Sequence, residues 1–425
     1  MIGPTTWLGA VALSVLAACG GSDTSGSFSA VTAAFARDTA SEEARADPAD
    51  VKRWDALAAV SPTRGPLRTT PLILHIDKIP VPVLGADGRY HAVYEIDVEN
   101  VAGGELTVSR LDVLDARSGT LIESLDAAEV GRRMVVRDRS AVPGHLGAAQ
   151  SGRLYMHLAF AGREAVPPVV DHHVWLTMES LPDSFTAARL RLADVSDLVL
   201  DSPLRGAGYI AGDGCCDSVR HVRATLAVNG KAYTAQRFAI DWELLDGHGR
   251  IYAGDPKDPA SYFIYGKPAY AVADAKVVAA VDGLPNTPPG SFPENITIEE
   301  ADGNHVVLDL GHGRYALYAH FKPGSVRVRP GDAVRRGEVL GLVGTSGNSS
   351  EPHLHFHVMD GPSPLASNGL PYRLRQFSST RRGLSTAAFD QAIIDGRPIP
   401  TEPVTGGPLR SRALPLDLWI VDFPE

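Results

Sequence analysis

The 425-residue sequence contains three cysteines, two of them the neighbours Cys215 and Cys216. No framework of disulfides can hold such a chain together, so a hydrophobic core must do that work. The adjacent pair can form a strained vicinal disulfide or stay as two thiols. Long blocks of Lys or Arg are also missing, and the formal net charge is −10. A general nucleic-acid binder needs clustered positive charge to neutralise phosphates, so that class is excluded. The length leaves room for two or three domains and a sizeable core.

What is present begins with an apolar stretch, Trp7 to Ala18, of signal-peptide length and too short to span a bilayer. It ends in Leu16-Ala17-Ala18-Cys19 and resembles a bacterial lipobox, which implies a lipoprotein signal peptide over 1–19 and a lipid anchor on Cys19. The stretch before Trp7 lacks the usual Lys or Arg; read as an ordinary cleaved signal, it still means export. Gly20-Gly21 with no Asp beside them resembles the outer-membrane sorting pattern, which would place the protein at the cell envelope, on the periplasmic face of the outer membrane. Residues 20–66 are rich in Ser, Ala, Gly and charge without an apolar stripe, and read as a flexible tether with one short helix near Val51 to Ala59.

From 67 to 200 the periodicity is that of strands. Tyr94, Ile96 and Val98 alternate with Glu95, Asp97 and Glu99, and Leu154, Met156, Leu158 and Phe160 alternate with smaller or polar neighbours. Short strands punctuated by Gly turns predict a β-sandwich. His172-His173 show no ligand-like spacing and read as surface or satisfied structural residues. Residues 206–360 are also strand-like, and eight of the 14 histidines lie between His221 and His357. Such clustering in an exported protein raises the prospect of a metal site. The remainder, 361–425, is Pro-rich and closes on Leu416 to Val421, expected to be a strand returning to one of the sheets. The whole reads as all-β.

The strongest chemical signal is Pro352-His353-Leu354-His355-Phe356-His357-Val358. On a strand, the three histidines share one face and Leu354, Phe356 and Val358 the other. One imidazole can bind a metal while its neighbour reaches water or substrate. Around it, Gly303 to Asp309 leads through Gly311-His312-Gly313 into a strand ending at His320, followed by Gly turns at Gly331 to Gly341 and the loop Gly344 to Ser350. This succession, from about Gln236 to Val358, resembles the lysostaphin and LytM type of zinc endopeptidase, an antiparallel β-sheet peptidase of bacterial cell walls.

The resemblance implies that His355 binds Zn2+ and that His320 and His353 flank the attacking water and the developing oxyanion. It also implies two further ligands from an upstream H-x-x-x-D. Here Asp241 is in place, but the His position holds Arg237, whose guanidinium has no lone pair for a metal. Strand pairing suggests a replacement. If Val222 to Val228 and Phe238 to Trp242 pair across Asn229-Gly230, a loop with an odd number of residues puts both apolar sets on one face. The other face then collects His221, Arg237 and Asp241, making His221 the third ligand. A two-residue loop would send His221 to the wrong face. His248 lies in a turn, His305 and His312 read as hairpin residues, and His357 as an outer support for another imidazole or a rim residue. The Pro-rich segment 280–303 reads as a groove wall or a plain insertion.

Two functions follow. One is a zinc metalloendopeptidase whose substrates are peptidoglycan stem peptides or cross-links. The other, favoured by Arg237, is an inactive relative that binds peptidoglycan or regulates a partner hydrolase.

Overall fold

The computed structural model describes residues 68–136, 142 and 144–425. The signal peptide, Cys19, and the tether with its short helix lie outside the described residues. The described chain is built from strands, with two α-helices, Ala127–Arg133 and Thr386–Asp395, that the period-2 reading did not foresee. Each helix has the expected local cause: Asp126 and Ser385 cap the first turns, and Gly396 ends the second helix in the left-handed conformation. None of the described helices is long and apolar enough to cross a membrane.

Two five-stranded antiparallel sheets come first. One runs Leu72–His75, Tyr90–Asn100, Ser151–Phe160, Met134–Val136, with Val83–Leu84 paired beside Tyr90–Asn100. The other runs Leu181–Arg191, Val169–Met178, Leu106–Asp115, Leu121–Leu125, with His145–Leu146 at its side. Tyr94, Ile96, Val98, Leu154, Met156 and Leu158 point to one side of the first sheet and pack with Val108, Leu111, Val174 and Leu176 of the second. Alternation thus places the apolar half of each strand between the sheets.

His172 is buried in this sandwich: its Nε2 lies 2.7 Å from the Tyr94 hydroxyl, and its Nδ1 donates to the Ala188 carbonyl at 2.6 Å. Burial, partly offset by that carbonyl, lowers its pKa to about 4, whereas an unfolded His titrates near ~6.5. As pH falls between these values the unfolded chain takes up the proton first, so stability declines by about 3 kcal/mol across the window. His172→Gln, which does not titrate, should flatten the fall of Tm in that window. An unchanged slope would assign the acid sensitivity to another group.

Of the remaining strands, twelve form one sheet, and four form two separate pairs, Leu226–Val228 with Lys231–Tyr233 and Pro268–Tyr270 with Val339–Leu342. The main path of the twelve-stranded sheet is Val199–Leu200, Arg373–Gly383, Trp419–Phe423, Gly206–Gly212, Ile240–Leu244, Leu354–Met359, Arg314–Phe321, Asn304–Gly311, Ala275–Val281, Ala333–Val334. The final apolar run does return to a sheet, but its strand is Trp419–Phe423, paired with Gly206–Gly212 and Arg373–Gly383. Leu416 makes an isolated bridge with Cys215, and Asp417 and Leu418 turn into the strand, with Leu418 at a φ of 61°. The core of this sheet includes Trp242, Tyr318, Phe321, Leu354, Phe356 and Val358. Cys215 and Cys216 are buried in it and disulfide-bonded to each other.

Candidate metal centre

Asp241 and His355 face one another across paired strands, in register Asp241↔His355, with Ala319 on the far side of His355. Leu354, Phe356 and Val358 fill the core, so alternation turns His353, His355 and His357 to the other face, as the sequence predicts. None of the three is at the surface: all are buried. His355 Nδ1 is 2.8 Å from Asp241 Oδ1, His353 Nε2 is 3.4 Å from the same oxygen, and His221 Nε2 is 3.3 Å from Asp241 Oδ2. One donor atom each from His221, Asp241 and His355 lie within 4.8 Å of one another. A second such group is His320, His353 and His355.

His221 arrives by a different route from the one its sequence suggests. The hairpin does have the two-residue loop that would spoil the register, with Val228 opposite Lys231 across Asn229-Gly230, both at positive φ. However, its strands are short: Leu226–Val228 and Lys231–Tyr233, with a turn at 235–238 before Ile240–Leu244. His221 and Asp241 share no ladder, so strand parity does not govern their relation. His221 sits in a turn, where its Nδ1–H donates to the Asp213 carbonyl at 3.0 Å and leaves Nε2 to face Asp241.

Arg237 also departs from expectation. Instead of joining His221 and Asp241, it lies in the 235–238 turn. Its guanidinium grips Glu95 of the sandwich through Nε (2.9 Å) and Nη2 (2.7 Å) and donates to the Gly369 carbonyl at 3.1 Å.

Backbone carbonyls orient the other imidazoles. His353 Nδ1 donates to the Glu351 carbonyl at 2.8 Å and His320 Nδ1 to the Ser346 carbonyl at 2.7 Å. Their Nε2 atoms are thereby left as acceptors. The rings of His320 and His353 stand 4.7 Å apart. His320 has a φ of 66°, a left-handed conformation costing a non-glycine residue about 1–3 kcal/mol. His357 Nδ1 lies 2.8 Å from His355 Nε2, while its own Nε2 is buried without a partner.

Charge is balanced within the cluster. Burial alone would raise the Asp241 pKa, but His221 and His353 outweigh it and hold the carboxyl well below its usual range. Burial opposes protonation of His221, and the neighbouring Asp241 overcomes it, raising the pKa to about 9. Burial, reinforced by the other imidazoles, keeps His320 neutral far below the ordinary range. Glu243, two positions after Asp241 on the same face, is buried with one oxygen unpartnered. Burial first, then the Glu351 and Asp241 carboxylates, push its pKa well up. Its i+2 spacing was visible in the sequence; its burial was not.

Gly303 is the point of closest approach behind His320. It has a φ of 59°, and a Cβ there would fall within 2.3 Å of the Ser346 carbonyl oxygen that holds His320. Gly303→Ala should therefore displace that carbonyl and lower kcat more than 10-fold if His320 acts on the reacting groups. Steady-state kinetics checks this, and unchanged kcat would show that the carbonyl does not set the ring. Among the other histidines, His305 donates to the Gly303 carbonyl at 2.8 Å, His312 lies at the tip of a hairpin, and His248 lies in a turn.

Residues 262–367 match the family model "Peptidase family M23". Peptidoglycan DD-endopeptidase ShyA of Vibrio cholerae is 31% identical over 91 residues, 19% of this chain and 21% of the relative. Glycyl-glycine endopeptidase ALE-1 of Staphylococcus capitis is 35% identical over 94 residues, 22% of each. The matched region thus spans about a fifth of the length of these relatives. The catalytic domain of lysostaphin from Staphylococcus simulans aligns over 39% of this chain and 88% of its own, with 22% identity and a TM-score of 0.22. On the family-model match, residues 262–367 belong to a peptidase family M23 domain of the lysostaphin and LytM type.

Proposed function

We propose that this chain is a zinc-dependent endopeptidase of bacterial cell-wall peptidoglycan, with His221, Asp241 and His355 holding the ion and His320 and His353 beside the reacting groups. The observation that carries this reading is the convergence of His221, Asp241 and His355 on one point. Two imidazoles and one carboxylate, leaving further positions open, suit catalytic zinc. The anchors also fit: the Asp213 carbonyl fixes the His221 tautomer, and His357 stands ready to accept the Nε2 proton of His355.

Bound there, zinc would supply Lewis-acid polarisation of a carbonyl and acidification of a water. His353 and His320, each with Nδ1 tied to a carbonyl, present Nε2 as the proton-accepting atom. Once protonated, either ring can donate to a developing oxyanion or a leaving amine.

The alternative of an inactive binding or regulatory domain rested on Arg237. The engagement of that side chain with Glu95, and the arrival of His221 from another segment, support the catalytic reading instead. The two curated relatives carry the names of a peptidoglycan DD-endopeptidase and a glycyl-glycine endopeptidase; stem peptides or cross-links are the corresponding substrates here. Attachment to the envelope membrane through Cys19, on the periplasmic face of the outer membrane, belongs to the same proposal.

The test is metal analysis of the purified soluble chain together with release of soluble fragments from isolated sacculi. About one zinc per chain and hydrolysis lost in His353→Ala, with zinc retained, are expected. A zinc-replete protein that binds sacculi without cutting them would establish the binding role instead.

A further inference from the structure

We propose that the N-terminal sandwich is the template of the metal centre: it grips the segment carrying His221 on both sides and so positions that imidazole, with Arg132, Arg153 and Tyr155 as positioning residues. The inference rests on the reading of His221 as a ligand.

His221 lies in a stretch without ladder pairing between Gly206–Gly212 and Leu226–Val228, apart from one isolated bridge at Cys215. A turn of this kind does not by itself hold a side chain to the ~0.5 Å that a working site requires. Within its own half of the molecule the segment is tied by the Asp213 carbonyl and by Arg220, which bridges Asp213 and Asp390. Thr225 Oγ1 also lies 3.0 Å from Thr234 Oγ1, and the Asp417 amide donates to the Cys215 carbonyl; further ties come from the sandwich. Four residues before His221, Asp217 accepts from Arg132 at 2.7 Å and lies 3.6 Å from Arg133, both on the helix Ala127–Arg133. Two residues after it, Arg223 bonds back to Asp217 and donates to the Arg132 carbonyl at 2.6 Å. Four residues after it, Thr225 Oγ1 lies 2.9 Å from the Tyr155 hydroxyl and 3.2 Å from Arg153 Nη1. His91 and His157 bring ring nitrogens within 4.8 Å of Cys216 Sγ.

Strand alternation explains why one sheet can do this. Leu154, Met156 and Leu158 fill the space between the sandwich sheets, which turns Arg153, Tyr155 and His157 to the opposite face. On the adjacent strand Tyr94 and Ile96 point inward, while Asp97 pairs with Arg153 and Glu95 with Arg237. The polar positions that would face water in an isolated sandwich instead form the bed on which the His221 segment lies. The strands Tyr90–Asn100 and Ser151–Phe160 therefore serve two interfaces, one apolar and one hydrogen-bonded.

The experiment uses the full chain with Arg132→Ala and Tyr155→Phe combined, both remote from the ligands. Zinc affinity is read by competition with a chromophoric chelator, and hydrogen exchange of residues 215–225 is read in the zinc-free protein. Loss of outer support to a ligand typically costs about 10–100-fold in metal affinity, and that is the expected drop. Amides of 215–225 should exchange faster while those of Leu354–Met359 do not change. In a His221→Ala background the double variant should cause no further loss, because the coupling runs through that ring. Thr225→Val, which keeps shape and removes the hydroxyl's contacts with Tyr155, Arg153 and Thr234, should act in the same direction with a smaller size. Unchanged affinity, or an equal loss in the His221→Ala background, would overturn the proposal. If His221→Ala alone leaves affinity intact, the ligand assignment itself fails, and that result comes from a different variant.

Discussion

Replacing His221 by alanine is expected to weaken zinc binding by more than about 100-fold, beyond the range seen when only outer support is lost. The expectation follows from the donor count. Three protein donors converge at Asp241, and removing one leaves an imidazole and a carboxylate, too few for a catalytic zinc site. The substitution removes no strand pairing, since His221 lies in a turn. It does orphan one part-buried neighbour, the Asp213 carbonyl, so a modest fall in metal-free stability of about 1 kcal/mol accompanies it. Chelator competition and thermal unfolding of the zinc-free chain separate the two effects. Unchanged affinity would point to the other convergent group, His320, His353 and His355, as the ligand set. It would leave the zinc reading standing but reassign its residues. Arg237 offers the contrast: its nitrogens are engaged by Glu95 and Gly369, so Arg237→Met should keep zinc affinity within a few-fold while His221→Ala does not.

The same contrast separates what was legible in the sequence from what was not. Period-2 patterns were legible, because alternation is a local property of a strand. Tyr94, Ile96 and Val98 are buried together, as are Leu354, Phe356 and Val358. The shared face of His353, His355 and His357 followed from the second set, and the hairpin ending near His320 from its Gly turn. Asp241 fell opposite His355 through sheet register, which the family resemblance carried. The position of His221 was reached by an argument whose premises fail: the loop has two residues and the strands stop short of both His221 and Asp241. Its proximity to Asp241 comes from a carbonyl at Asp213 and from side chains more than 60 residues away in the sandwich. No local pattern encodes such contacts. Glu95 illustrates the same limit, since alternation assigns it to the polar face but cannot say that this face is covered. Arg237 looked like a lost ligand because only the position of its Cα was legible.

Glu95→Ala is expected to destabilise the chain by about 3–5 kcal/mol, the range for removing one partner of a buried ion pair. Both side chains are largely sequestered, at 7% exposure for Arg237 and 10% for Glu95. The variant would leave a guanidinium that cannot deprotonate, with only the Gly369 carbonyl as partner. Most of the cost is thus the stranded charge rather than the lost attraction. Two consequences distinguish this from a simple packing defect. Arg237→Met in the Glu95→Ala background should recover most of the lost stability, because no buried charge is then unpaired. Furthermore, because Glu95 docks on the turn leading into the Asp241 strand, loss of the pair should speed hydrogen exchange there before it does so in the sandwich interior. Denaturant unfolding of the single and double variants, with exchange at residues 235–241, reads both. Additive losses in the double variant would mean that the two residues act independently, and that the sandwich does not use this pair to hold the Asp241 strand.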